Sequence, residues 1–180
     1  MSLFDKIVAA ITPPESDETR FEARRRARGL CAPGDWLDQV IDHHEQIEAA
    51  FEEVRSASQP QTQRSAQRKL ATLLTGHANA EEAVLYPALA DDGHEAHAGL
   101  GYEEQAATKV QLALLEKLEP LSQDFLDKLE HIRGAVTHHM YHEESSWFPD
   151  LKTEVANAEQ ARIGARYTEE YQRYVDMATA

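Results

Sequence analysis

A chain of 180 residues is enough for one domain with a real core, and 42% hydrophobic with 28% charged content is an ordinary soluble globular mix. A formal net charge of −14 argues against nucleic acid and anionic membrane as partners. The single cysteine, Cys31, rules out a disulfide within this sequence and any zinc site built on two thiolates, and it fits a reducing cytoplasm.

The stretch from Met1 to Ile11 is apolar but short, and Asp5 and Lys6 interrupt it. It reads as a poor secretory signal, too short to cross a bilayer, and no later stretch approaches that length. Thr12-Pro13-Pro14 is a helix stop. The segment Arg20 to Arg28 carries five arginines among Glu and Ala, and it reads as a solvated helix face of an N-terminal extension over 1–34. Ala32-Pro33-Gly34 breaks the chain, and Asp35 can cap the next helix.

From Asp35 the apolar period is helical. Helices are predicted over 36–55, 62–90, 95–118, 121–147 and 154–175. The third has an ill-defined start, because Gly99 and Gly101 weaken its first turns. Glu119-Pro120 and Phe148-Pro149 read as stops. The last helix carries Ile163, Tyr167, Tyr171 and Tyr174 at helical spacing, a packing face. No strand pattern competes. Short connectors between long amphipathic helices imply an all-α, up-down-up-down four-helix bundle over 35–152, with the 153–180 helix packed on the same domain.

Two of these helices share a motif. One holds His77, Glu81, Glu82, Tyr86, Pro87 and Leu89, and the other His139, Glu143, Glu144, Phe148, Pro149 and Leu151. Both read His-x3-Glu-Glu-x3-aromatic-Pro-x-Leu, which suggests an approximate two-fold relation between helix pairs. Residues four apart differ by about 40° around a helix, so each His and its following Glu point the same way. His77 and Glu81 fall inside the apolar arc of Leu70, Leu73, Leu74, Val84 and Leu85. Glu143 lies in the arc of Phe125, Leu129, Ile132, Val136 and Met140, with His139 at its edge. Carboxylates on a core-facing stripe are destabilising unless paired or bound to a cation. Two such pairs point to a metal.

The helix over 36–55 adds His44, flanked on its arc by Leu37, Val40, Ile41, Ile47 and Phe51. Its neighbour His43 is rotated away by about 100°, at the margin of the arc, and is a lesser candidate as an alternative ligand or hydrogen-bonding partner. Glu48 also falls inside that arc as a further candidate ligand or hydrogen-bonding partner. On the helix over 95–118, Glu104 lies in the apolar arc and is the chosen ligand. His97 and Tyr102 are weaker candidates there. His131, His138 and His142 form a separate stripe that could bind a surface metal adventitiously but reads more plainly as the bundle's flank, where His138 and His142 could supply supporting hydrogen bonds, and His94 falls near a turn.

These motifs resemble the hemerythrin-like, HHE cation-binding family over roughly 36–151, through Asp42-His43-His44-Glu45, His77-x3-Glu81, His139-x3-Glu143 and the repeated aromatic-Pro. The resemblance implies a four-helix bundle holding two iron ions, with His44, His77 and His139 as terminal ligands and Glu81 and Glu143 as bridging carboxylates. The chain departs from the oxygen-carrying members, which have His-x3-His on the third helix. Glu104 is the candidate to stand in for a histidine there, and reversible oxygen storage is disfavoured. The mixed imidazole–carboxylate donors suit iron, with manganese or zinc as substitutes. Ferritin-like sites use Glu-x-x-His instead, and His44 to Glu48 lacks the second histidine of a zincin.

The expected function is binding or sensing of a small oxidant (dioxygen, nitric oxide or peroxide) at a di-iron centre, in the cytoplasm. An enzyme that consumes peroxide or nitric oxide is the alternative. A bundle with purely structural metal, acting through a protein partner, is the third reading.

Overall fold

The computed structural model describes residues 15–179, with side chains through Val175. The Thr12-Pro13-Pro14 stop and the apolar stretch before it lie outside the described residues. Among the described residues the chain is all helical, with no strand.

Helix α1 (Asp17–Arg28) starts at Ser16, whose hydroxyl accepts from the Thr19 amide. Asp17 and Glu18 in its first turn and Arg25, Arg26 and Arg28 in its last complement the helix dipole. Helix α2 (Trp36–Ser56) is capped by Asp35, as the sequence predicts, with its carboxylate accepting from the Leu37 and Asp38 amides. Helix α3 (Pro60–Ala80) opens with proline, where a missing N–H costs nothing. It runs through a π-helical turn, Glu81–Leu85, into α4 (Tyr86–Asp91). Helix α5 spans Glu95–Leu115, so Gly99 and Gly101 do not delay its start. Helix α6 (Gln123–His142) is capped by Ser122 and passes through a second π turn, Glu143–Trp147, into α7 (Phe148–Glu154). Helix α8 covers Asn157–Thr179.

Pro149 therefore does not stop its helix, contrary to the expectation. A proline lacks the N–H that would reach four residues back, and its ring crowds that carbonyl. The π turn absorbs both problems: the Tyr86 and Phe148 amides reach back to the Glu81 and Glu143 carbonyls. Both motif copies carry the proline and both carry the π turn.

Helix α2 packs on α3, α4 on α5, α5 on α6, and α6 on α2, which closes the bundle. Helix α8 lies against α3 and α2, and α1 against the second π turn and α2. The core has two apolar layers. One contains Trp36, Leu37, Val40, Ile41, Val84, Leu85, Trp147 and Phe148. The other contains Ile47, Phe51, Leu70, Leu74, Leu129, Ile132, Val136 and Met140. On α2, α3, α6 and the two π turns the polar residues His44, His77, Glu81, His139 and Glu143 fall between these layers, and all five are buried. A polar sheet inside a hydrophobic core is tolerable only if its groups are satisfied.

Helix α1 is only in part a solvated arginine face: Arg25 and Arg26 are exposed, but two other arginines are not free. Arg24 is only 17% exposed and spans Glu48 and Glu144, while Arg28 pairs with Asp38, Asp42 and Glu45. These two guanidiniums fasten α1 onto the bundle.

Candidate metal centre

Four side chains from three helical segments meet in the middle layer: His44 from α2, His77 from α3, and Glu81 and Glu143, each at the first residue of a π turn. Their donor atoms lie within 4.8 Å of one another. His44 Nε2 stands 3.4 Å from Glu143 Oε2 and 4.0 Å from Glu81 Oε1, and His77 Nε2 is 3.2 Å from Glu81 Oε1. These same four atoms are buried without any hydrogen-bond partner. Buried polar atoms are rarely left unpaired. Four that converge on one point are what a bound cation would satisfy.

The other carboxylate oxygens face a second position. Glu81 Oε2 accepts from Gln105 Nε2 at 2.6 Å. Glu143 Oε1 accepts from the Tyr86 hydroxyl at 2.9 Å and stands 3.2 Å from His139 Nε2. The Tyr86 oxygen is also 3.1 Å from His139 Nε2 and accepts from Gln105 at 2.6 Å. Each carboxylate thus turns one oxygen toward the four converging donors and the other toward a hydrogen-bond donor of the protein.

The three imidazoles share one arrangement: Nε2 points inward and Nδ1 is held from behind. His44 Nδ1 lies 2.8 Å from Glu144 Oε1, His139 Nδ1 2.7 Å from Glu104 Oε2, and His77 Nδ1 3.2 Å from the Tyr167 hydroxyl. A carboxylate behind Nδ1 fixes the proton there and presents the Nε2 lone pair, the usual way proteins prepare a histidine for metal.

The buried groups set one another's protonation. Burial works against a protonated His44, but Glu143 and Glu144 outweigh it and raise its pKa to about 9. His139 is likewise raised against its burial by Glu143 and Glu104. Burial, with the positive His44 nearby, pushes His77 well down. Glu81 is raised by burial and then by Glu143. Glu143 is held low in spite of burial by His139 and His44.

Residues 36–151 match the family described as the hemerythrin HHE cation binding domain. The chain belongs to the hemerythrin HHE cation-binding domain family. A curated relative of the HHE chain, a DNA nickase of Nostoc sp. (strain PCC 7120), is 27% identical over 120 residues. That stretch is 67% of this chain and 34% of the relative, so the chain spans about a third of that protein's length. No solved structure matches.

Of the candidates named from the sequence of this HHE domain, His44, His77, Glu81 and Glu143 come together, and His139 stands beside them across Tyr86. Glu104 does not converge with the four; it accepts from His139 instead. Glu48 is taken by Arg24 in a two-pronged pair at 2.8 and 3.0 Å. His43 stacks on Tyr171 at 3.8 Å and meets the Tyr167 hydroxyl at 2.8 Å. His97 stacks on Trp147, and the Tyr102 hydroxyl donates to the Glu82 carbonyl. His138 and His142 face away from the cluster, toward Glu15.

Tyr86, Gln105, Glu144 and Arg24 belong to the site and were not singled out by helical spacing, and Tyr167, which was, had been read only as part of a packing face. Tyr86 follows His77 by nine positions, about 180° away on an ideal helix. The π turn adds a residue and returns it by about 100°, into the core. The repeated Glu-Glu and aromatic-Pro were the available signal. Gly101 completes the arrangement, for a Cβ there would stand 2.7 Å from the Tyr86 ring.

Proposed function

We propose that this HHE domain holds two iron ions and binds or senses a small oxidant. The observation that carries the reading is the convergence of four buried, unpartnered donors, His44 Nε2, His77 Nε2, Glu81 Oε1 and Glu143 Oε2. His44 and His77 would hold one ion and His139 would serve the other, with Glu81 and Glu143 reaching both. A mixed imidazole and carboxylate set suits iron, and manganese or zinc would be accepted as substitutes. Iron so held offers coordination positions at which dioxygen, nitric oxide or peroxide can bind.

The chain's own residues support a small ligand. A cavity of about 30 Å³, with Leu74, Leu112, Val136 and Met140 as well as Lys109 in its lining, reaches His77, His139 and Gln105. A space of that volume takes roughly one water-sized molecule. Apolar walls favour a diatomic over a charged metabolite. Metal analysis and absorption spectra after anaerobic ferrous loading and oxidation test the reading. Two irons per chain are expected, and absence of iron at full loading would overturn it.

A second reading, consumption of peroxide or nitric oxide, is favoured by the Tyr86 hydroxyl and His139 beside the carboxylates. The Tyr86 hydroxyl can hold a proton beside Glu143, while His139 keeps its Nδ1 proton toward Glu104. Turnover by the loaded protein separates the two readings.

The nicking activity in the relative's name forms no part of the proposal. The shared region is about a third of that protein. In this chain Arg20, Arg24, Arg25 and Arg28 each pair with carboxylates of the chain itself, and the net charge is −14. Neither feature suits a polyanion. A plasmid-relaxation assay checks this, with no nicking expected. Placement in the cytoplasm stays part of this reading. Among the described residues no helix is long and apolar enough to cross a membrane.

A further inference from the structure

We propose that Glu15, His138 and His142 form a second, peripheral site for a zinc-class divalent cation, which clamps the start of α1 onto α6. His138 and His142 are one turn apart on α6, and their rings lie 4.3 Å centroid to centroid. Glu15, from the segment just before the Ser16 cap, brings both carboxylate oxygens to 3.0 Å from His138 Nδ1. One donor atom from each of the three lies within 4.8 Å of the others.

The geometry has the features of a cation site rather than of a chance surface pair. The two histidines at i and i+4 present a rigid pair of imidazoles from one helix face. The carboxylate comes from another element, 123 positions away, and is only 13% exposed. Two imidazoles and one carboxylate, with water completing the shell, match borderline cations such as zinc and cobalt. The site is separate from the central one, because His138 is rotated by about 100° from His139.

The clamp has a consequence for the centre. Helix α1 carries Arg24, which donates to Glu144 at 2.9 Å, and Glu144 holds His44. A cation at Glu15 pins the end of α1 that leads to this contact.

The test is a zinc titration of the full chain at neutral pH, by calorimetry or a competing indicator. Wild type is compared with His142→Ala, Glu15→Gln and His131→Ala, the last a control on the same stripe. Wild type should bind one more equivalent than His142→Ala, and His131→Ala should match wild type. Glu15→Gln, which keeps the shape of the side chain, should weaken that equivalent more than about tenfold. Zinc should slow amide exchange in α1 of wild type and not of His142→Ala. The difference is read between variants, so it stands whatever metal the central donors take. Equal stoichiometry in wild type and both site variants would overturn the proposal. So would an extra equivalent that leaves α1 exchange unchanged.

Discussion

Glu104 Oε2 lies 2.7 Å from His139 Nδ1, so the one acidic residue on α5's inner face orients a histidine instead of joining the converging donors. The side chain of Glu104 is 28% exposed, against 0% for Glu81 and Glu143. A carboxylate at the edge of the site can anchor an imidazole from behind while staying partly hydrated.

Glu104→Gln should therefore keep the metal but bind it about 10–100-fold more weakly, the usual cost of losing an outer partner. Glu81→Ala and Glu143→Ala should lose it. Iron content of the three variants, loaded in parallel, decides this. Full loss in Glu104→Gln would return Glu104 to the ligand set.

The fold and the main donors were legible because they follow a simple period. His44 and His77 sit on apolar stripes of regular α-helix, and Glu81 and Glu143 stand at the first residue of a π turn, before the period changes, so rotation alone places all four inward. Tyr86 and Glu144 come after a motif glutamate, within or just beyond a π turn, where the period changes and ideal rotation misplaces them. Arg24 was illegible for another reason: its partners Glu48 and Glu144 lie on other helices, and local charge pattern cannot reveal a contact 120 positions away.

Gly101→Ala should destabilise the protein although it raises helix propensity. The propensity gain is about 1 kcal/mol. Against it stands a methyl placed 2.7 Å from the rigid Tyr86 ring, and overpacking costs typically about 1–3 kcal/mol. Chemical denaturation measures the net. Because Tyr86 must move, the absorption of the iron-loaded protein should change too. A stabilised variant with unaltered spectra would mean that the ring has room to yield.

Asp35→Ala should cost roughly 1–2 kcal/mol, since it removes the cap of α2. Asp35 also pairs with Lys152 at 2.8 Å. Burial tends to raise its pKa, but Lys152 and the capped amides prevail and hold it low. The stabilisation is therefore complete above the unfolded aspartate pKa of about 3.9 and fades as pH falls through the lower folded value. Wild type and variant should differ most near neutrality and converge in strong acid. A stability gap that widens toward low pH would contradict this assignment.

The adjacent histidines supply the sharpest contrast. His44→Ala and His139→Ala should strip or greatly weaken central iron, whereas His43→Ala and His138→Ala should leave it nearly intact. Neighbouring helical residues differ by about 100°, so only one of each pair can aim at the core. The structure makes the same division: His44 is fully buried and held by Glu144, while His43 stacks on Tyr171. His139 is held by Glu104, while His138 faces Glu15. His43 still touches the Tyr167 hydroxyl, which also meets His77, so its loss should weaken iron modestly through that shared phenol. Iron content and visible absorption of the four single variants, measured side by side, are the check. If His138→Ala or His43→Ala empties the centre while its neighbour's variant stays loaded, the donor set must be redrawn one residue over.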